Sequence, residues 1–97
     1  MLSPEVPTGF ANIVTSTSAK GLMSGLTVPP GTNKVRFTVL TQDIYTRTDG
    51  TAPTTSVGIL WAKTATYERY WNEDMLNKIQ VVAGGTGSIV MEFLKEY

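Results

Sequence analysis

The sequence predicts an all-β protein, an antiparallel β-sandwich of jelly-roll type with about seven short strands. Runs of β-branched and aromatic residues recur between turn signals along the chain. In the clearest run, residues 34–44, the apolar residues Val35, Phe37 and Val39 alternate with Arg36 and Thr38. Threonine, which favours strands, occurs 15 times, and no segment has the pattern of a core-forming helix.

The sequence predicts one domain that is preceded by an N-terminal arm. A chain of 97 residues fits a single core. Residues 1–10 contain Pro4, Pro7 and Gly9 and carry little apolar pattern, so we expect an extended N-terminal arm there, with a disordered terminus as the alternative. Residues 11–97 then form a single β-sandwich domain.

The order of the elements follows from strand patterns and the turns between them. The predicted strands are residues 11–19, 22–28, 34–44, 55–63, 64–71, 78–83 and 88–94. Asp49-Gly50 predicts a hairpin corner. Residues 83–87 also predict a hairpin turn rather than a phosphate cradle, because a strand follows and no Lys is placed for phosphate. Residues 72–74 predict either a turn or a helix N-cap at Asn72, with one helical turn at residues 75–77 as the helical form.

Composition excludes several function classes. Eight basic and eight acidic residues give a net charge of zero, which argues against a nucleic-acid binder. With no His and no Cys, the commonest general base, the commonest transition-metal ligand and the thiolate nucleophile are missing. The carboxylates lie in no recognisable catalytic or calcium motif. We therefore expect a non-enzymatic protein without cofactor or metal, and no membrane span or signal peptide.

Aromatic residues are the best candidates for contact chemistry. Trp61, Tyr67, Tyr70 and Trp71 lie within eleven positions, and such a cluster fills a core, forms a protein interface or stacks on sugars. A second signal is apolar residues on the strand faces opposite the core. Leu40, Val90 and Leu94 point away from the predicted core positions, so either the strand register changes locally or these residues meet another chain.

Two motifs carry a resemblance to a known family. The first is Val28-Pro29-x-Gly31-Thr32 followed by a strand. The second is Tyr45-x-Arg47-x-Asp49-Gly50-Thr51-x-Pro53-Thr54-x-x-x-Gly58. With these motifs and an ending that contains Leu76, Ile79, Gly85 to Gly87 and Tyr97, residues 10–97 resemble small structural proteins of tailed-bacteriophage virions. The chain departs from that pattern after Gly58, where Trp61 to Thr66 stand in place of a Gly-containing turn.

The resemblance implies a compact β-sandwich built into a virion, made in the host cytoplasm, with no catalytic residues. We expect a capsid decoration or cement protein that binds the major capsid protein or other virion proteins and forms a homo-oligomer, with a trimer as one form. The alternatives are a tail or head–tail accessory protein and a carbohydrate-binding module that stacks sugars on Trp61, Tyr67 or Trp71. The expected contact residues are Leu40, Arg47, Trp61, Tyr70 and Trp71, with Arg47 as a polar anchor.

Overall fold

A computed structural model describes residues 4–97 as eight strands and one short helix. The elements are β1 (Glu5–Thr15), β2 (Lys20–Gly21), β3 (Lys34–Leu40), β4 (Ile44–Arg47), β5 (Ile59–Trp61), β6 (Thr66–Arg69), α1 (Glu73–Lys78), β7 (Gln80–Ala83) and β8 (Gly87–Glu96). The front sheet has the order β1-β8-β3-β6, and the back sheet has the order β2-β7-β4-β5.

The strand pairing is that of a jelly roll. The first strand pairs with the last, the second with the seventh, the third with the sixth and the fourth with the fifth, and every pair is antiparallel. The two sheets therefore arise from one long hairpin folded across itself. The prediction of an all-β antiparallel sandwich of jelly-roll type is confirmed, with eight strands instead of about seven.

The core lies between the inner faces of the two sheets. Alternate residues of β3 and β8 point inward, as their sequence pattern predicts, and Val35, Val39 and Ile89 are almost fully buried. Leu76 from α1 belongs to the same core cluster. The N-cap prediction is confirmed, because the Asn72 side chain accepts a hydrogen bond of 2.9 Å from the Met75 amide.

The N-terminal arm is the largest difference from the sequence prediction. Residues 5–10 belong to β1 and pair with β8, so they are part of the front sheet rather than an arm outside the domain. The rest of the predicted arm, residues 1–3, lies outside the described residues. Pro7 is tolerated because β1 is an edge strand, and a register shift between Pro7 and Gly9 absorbs the irregularity.

Three connections also differ from their predictions. The predicted strand at 34–44 is two strands, because the chain turns at Thr41 (φ 75°) and crosses from the front to the back sheet. Residues 22–28 form no strand: residues 22–25 make a turn in which Leu22 and Met23 are buried, and residues 26–28 are irregular. The loop between β7 and β8 joins the two sheets, so residues 83–87 do not form a hairpin.

Candidate contact surface

The aromatic cluster is mostly core. Trp61 and Trp71 are only 6% and 7% exposed, and both pack on the ring of Phe37 with centroids 5.4 and 5.5 Å apart. The Trp61 indole donates a hydrogen bond of 2.7 Å to the buried Thr46 hydroxyl. Tyr67 packs against the same rings from the rim. Trp61 and Trp71, two of the predicted contact residues, are thus core side chains in the structure: β5 ends with Trp61 pointing inward, and Trp71 follows β6 into the core.

Two of the predicted contact residues lie on the outer face of the front sheet. Leu40, at the end of β3, is 36% exposed, and Tyr70, just beyond β6, is 66% exposed. Leu94, which the sequence analysis placed on the same outer face, is buried. The outer face thus keeps part of the apolar character that the alternation of β3 and β8 predicts.

The outer face of the front sheet gains two further exposed apolar residues from β1. Phe10 is 69% exposed and Val14 is 58% exposed. Val14 lies opposite Ser88, which also pairs with Leu40, so one row across the sheet runs Val14, Ser88, Leu40. Phe10 and Val14 could not be assigned to this face from the sequence, because their position depends on the pairing of β1 with β8 at the other end of the chain.

An ionic row crosses the same face. Arg36 lies opposite Glu92 on one side and Glu68 on the other. Its guanidinium donates to the Glu68 carboxylate at 2.8 Å and to the Glu92 carboxylate at 3.1 Å. Glu92 also pairs with Phe10, so this aromatic ring stands at the β1 end of the row. The row places an arginine between two carboxylates, with an exposed aromatic beside them.

A second cation lies one row further along. The Lys34 ammonium contacts the Glu5 carboxylate at 2.8 Å and the Glu96 carboxylate at 3.5 Å, and it lies 5.3 Å from the centre of the Tyr70 ring. Its side chain is only 7% exposed. A buried ammonium requires such partners because desolvation disfavours an unpaired charge.

The charges of this face shift several pKa values. The hydrogen bond from Lys34 lowers the pKa of the Glu5 carboxyl, and the same bond raises the pKa of the Lys34 ammonium. A hydrogen bond to Glu96 raises the pKa of the Tyr70 phenol. The face holds four carboxylates and two cations, so it carries an excess of negative charge. These carboxylates are Glu5, Glu68, Glu92 and Glu96.

Arg47 lies on the other sheet. It ends β4, and its guanidinium donates a hydrogen bond of 3.2 Å to Asp49 two residues later. The ion pair raises the pKa of Arg47 and lowers that of Asp49. The structure thus separates the five predicted contact residues into two on the front face, one on the back sheet and two in the core.

The loop of residues 48–58, between β4 and β5, is built by the motif that carries the resemblance. Asp49 accepts a hydrogen bond of 3.1 Å from the Thr51 amide, and Gly50 adopts a φ of 83°. The Thr54 hydroxyl accepts from the Val57 amide at 3.0 Å. We call this segment the motif loop. The prediction of a turn at Asp49-Gly50 is confirmed.

The back sheet also exposes apolar residues at its β5 edge. Val57, Ile59 and Leu60 are 55%, 63% and 53% exposed. Edge strands present unpaired backbone groups, and natural proteins usually protect them with charges. This short edge is a second, smaller apolar surface.

Comparisons of the chain with protein-family models, curated proteins and solved structures find no match. Within residues 4–97 no group of three or more Asp or Glu side chains is placed to hold a metal ion. No helix in this part of the chain is long and apolar enough to cross a membrane.

Proposed function

We propose that this chain is a non-enzymatic structural protein of a tailed-phage virion, a capsid decoration or cement protein that binds the major capsid protein through the outer face of its front sheet. The observation that carries the proposal is the set of exposed apolar and aromatic side chains around the ionic row. Phe10, Val14 and Tyr70 are each more than half exposed on a face that also presents Arg36. Aromatic residues and arginine are the residue types that dominate protein interfaces.

The dimensions of the two sheets favour the front face over the back. β1 and β8 are 11 and 10 residues long, whereas no strand of the back sheet exceeds four residues. A stable protein–protein interface covers about 800 Å² on each partner, which requires a broad surface. The fold is compatible with this role, since jelly rolls occur in viral capsid proteins as well as in lectins. The resemblance of the motif loop to virion proteins points in the same direction.

A decoration protein would stabilise the shell by mass action. A ligand that binds the assembled shell, and not its free subunits, adds stability that grows with the logarithm of its concentration over Kd. The excess of carboxylates on the front face suits a capsid surface that presents Lys or Arg, and charge complementarity mainly accelerates encounter and sets specificity.

The test compares two matched variants. Purified protein is mixed with expanded, undecorated capsids of the phage that encodes it, and binding is measured by co-sedimentation. We expect Phe10→Thr to weaken binding about tenfold or more, since hot-spot truncations exceed about 1.4 kcal/mol. Ile59→Thr, an exposed apolar residue of the back-sheet edge, should bind like the wild type. Absence of wild-type binding, or equal losses in both variants, would contradict the proposal.

The first alternative is a tail or head–tail accessory protein with the same fold. Its copy number per virion would be far below that of a capsid protein, so quantitative mass spectrometry of intact particles separates the two. For a carbohydrate-binding module that stacks sugars on Trp61, Tyr67 or Trp71, only the half-buried Tyr67 leaves part of its ring accessible, because Trp61 and Trp71 are buried.

The proposal includes self-association to a homo-oligomer, with a trimer as one form. The zero net charge removes the long-range repulsion between copies. Sedimentation velocity of the free protein measures the oligomeric state directly.

A further inference from the structure

A cavity of about 560 Å³ opens on the outer face of the back sheet, away from the proposed capsid-binding face. Val82 of β7 forms its floor, and Tyr45, which pairs with Val82 from β4, stands beside it. Val82 is only 4% exposed although it alternates with the inward-pointing Val81 and Ala83. An outward residue of a sandwich is normally solvated, so its burial shows that loops enclose this part of the sheet.

The motif loop forms one wall of the cavity. Pro53, Thr54 and Thr55 line it, and Pro53 is buried. The loop lies so close to β4 that a Cβ on Gly58 would stand 3.2 Å from the Cβ atoms of both Pro53 and Tyr45. Together with the hydrogen bonds of Asp49 and Thr54, this contact fixes the wall before any ligand arrives. A preformed wall reduces the entropy cost of binding.

The other wall carries complementary polar groups. Gln42 and Asp43 come from the connection between β3 and β4, and Lys63 follows β5. One Asp43 carboxylate oxygen accepts a hydrogen bond of 2.8 Å from the Lys63 amide, which holds the carboxylate at the cavity. Within residues 4–97, neither Asp43 nor the Lys63 ammonium makes an ion pair within 4 Å. The cavity therefore offers one anion, one cation and an amide.

We infer that this cavity binds a neutral saccharide unit. Sugars combine an apolar ring face with a rim of hydroxyls that both donate and accept hydrogen bonds. The cavity provides the matching parts: the Tyr45 ring with Pro53 and Val82 for the apolar face, and Asp43, Gln42 and Lys63 for the hydroxyls. Its volume lies in the range of about 300–1,000 Å³ typical of small-molecule sites. A phosphate would meet one lysine beside a carboxylate, which is poor anion chemistry.

The experiment is a titration of the isotope-labelled protein with saccharides, followed by two-dimensional NMR of the backbone amides. The probes are glucose, galactose, mannose, N-acetylglucosamine, maltose and cellobiose, and sodium phosphate is the charged comparison. At least one saccharide should shift the amides of Asp43, Tyr45 and Val82 in a saturable manner. The inference is overturned if no saccharide shifts these amides, or if phosphate shifts them equally.

Two matched variants complete the test. Asp43→Asn keeps an acceptor for the Lys63 amide but replaces a charged acceptor with a neutral one, so saccharide affinity should fall about tenfold. Asp74→Asn makes the same chemical change in the first turn of α1, outside the cavity, and should leave the affinity unchanged. Equal losses in both variants would overturn the inference. Asp43→Asn should still bind capsids, which separates failure of the saccharide site from failure of the proposed virion function.

Discussion

Two buried threonines show how strongly a single hydroxyl depends on its partner. Thr15 and Thr46 are 1% and 3% exposed, and both lie in strands with their side chains toward the core. Thr46 accepts the Trp61 indole hydrogen bond, whereas the Thr15 hydroxyl has no hydrogen-bond partner within residues 4–97. A buried polar group without a partner is destabilising, and one with a partner is close to neutral or favourable.

We therefore expect valine to act in opposite directions at these two sites. Thr15→Val should raise the free energy of unfolding by about 1 kcal/mol, because it removes an unpaired hydroxyl and keeps the β-branched shape. Thr46→Val should lower it by about 1–3 kcal/mol, because the buried indole N–H loses its acceptor. Urea denaturation at constant m-value measures both. A destabilised Thr15→Val protein would mean that this hydroxyl is satisfied in solution.

The burial of single residues also explains why the contact residues were hard to predict. Trp61 and Tyr70 come from one aromatic-rich stretch, yet Trp61 is core and Tyr70 is exposed. Their difference depends on where β5 ends and where β6 begins, and strand boundaries are weakly encoded in composition. Phe10 had no local signal at all, because only its pairing opposite Glu92 makes it part of a face.

At the scale of elements, local turn chemistry was the reliable guide. Asp49-Gly50, Asn72 and the alternation of β3 each depend on neighbours in sequence, and each prediction is confirmed. Connections between the sheets were not predictable in this way. A Gly-rich turn after β7 is compatible with a hairpin or with a crossover, and only the long-range pairing of β8 with β1 and β3 decides.

The motif loop provides a test of that local chemistry. Gly58→Ala should destabilise the protein by about 1–3 kcal/mol, because the new methyl group would be crowded by Pro53, Tyr45 and the Thr46 carbonyl oxygen at 3.2–3.3 Å. Gly21→Ala in β2 is the control, since its methyl group would meet only atoms at 3.9 Å. Thermal unfolding followed by circular dichroism compares the two. Equal midpoints would show that the loop moves away from β4 freely.

The ion pair that Glu5 of β1 makes with Lys34 predicts that the stability of the protein depends on pH. The pKa of the Glu5 carboxyl is lowered from 4.5 in the folded protein, chiefly by its hydrogen bond from Lys34. The unfolded chain therefore binds this proton more readily, so the contribution of Glu5 is complete above about pH 4.5 and is lost as the pH falls through the lowered folded value. Glu5→Gln should reduce the fall in Tm between about pH 6 and about pH 3.

The control for this measurement is Asn77→Gln, a change at an exposed position of α1 that alters no titratable group. It should keep the wild-type fall in Tm. If Glu5→Gln shows the same fall in Tm, the stability of the N-terminal half of β1 does not depend on the ion pair between Glu5 and Lys34. This half of β1 lies in the segment that the sequence predicted as an arm.

At the scale of the whole molecule, the topology contains strand pairs that are close in sequence and strand pairs that are far apart in sequence. Among the four jelly-roll pairs only β4 and β5 are joined directly by a loop. β1 instead pairs with β8, which lies at the other end of the chain. Loop closure has to precede non-local contacts, so proteins of this kind fold in about milliseconds to seconds. Among the strands of residues 4–97, the hairpin that carries the motif loop is the one pair joined directly by a loop, so it is the local pair available to begin folding.

A matched pair of core substitutions tests this order. Ile44 in β4 and Ile13 in β1 are 1% and 2% exposed, so Ile→Val should cost about 0.5–1.5 kcal/mol at either site. If the β4–β5 hairpin forms in the folding transition state, Ile44→Val should slow folding with a φ-value of about 0.5–0.8. Ile13→Val should instead speed unfolding, with a φ-value of about 0–0.3. Stopped-flow kinetics in urea measure both. A larger φ-value at Ile13 than at Ile44 would mean that β1 and β8 pair before β4 and β5 during folding. The motif loop would then form after the sandwich and would not help to nucleate it.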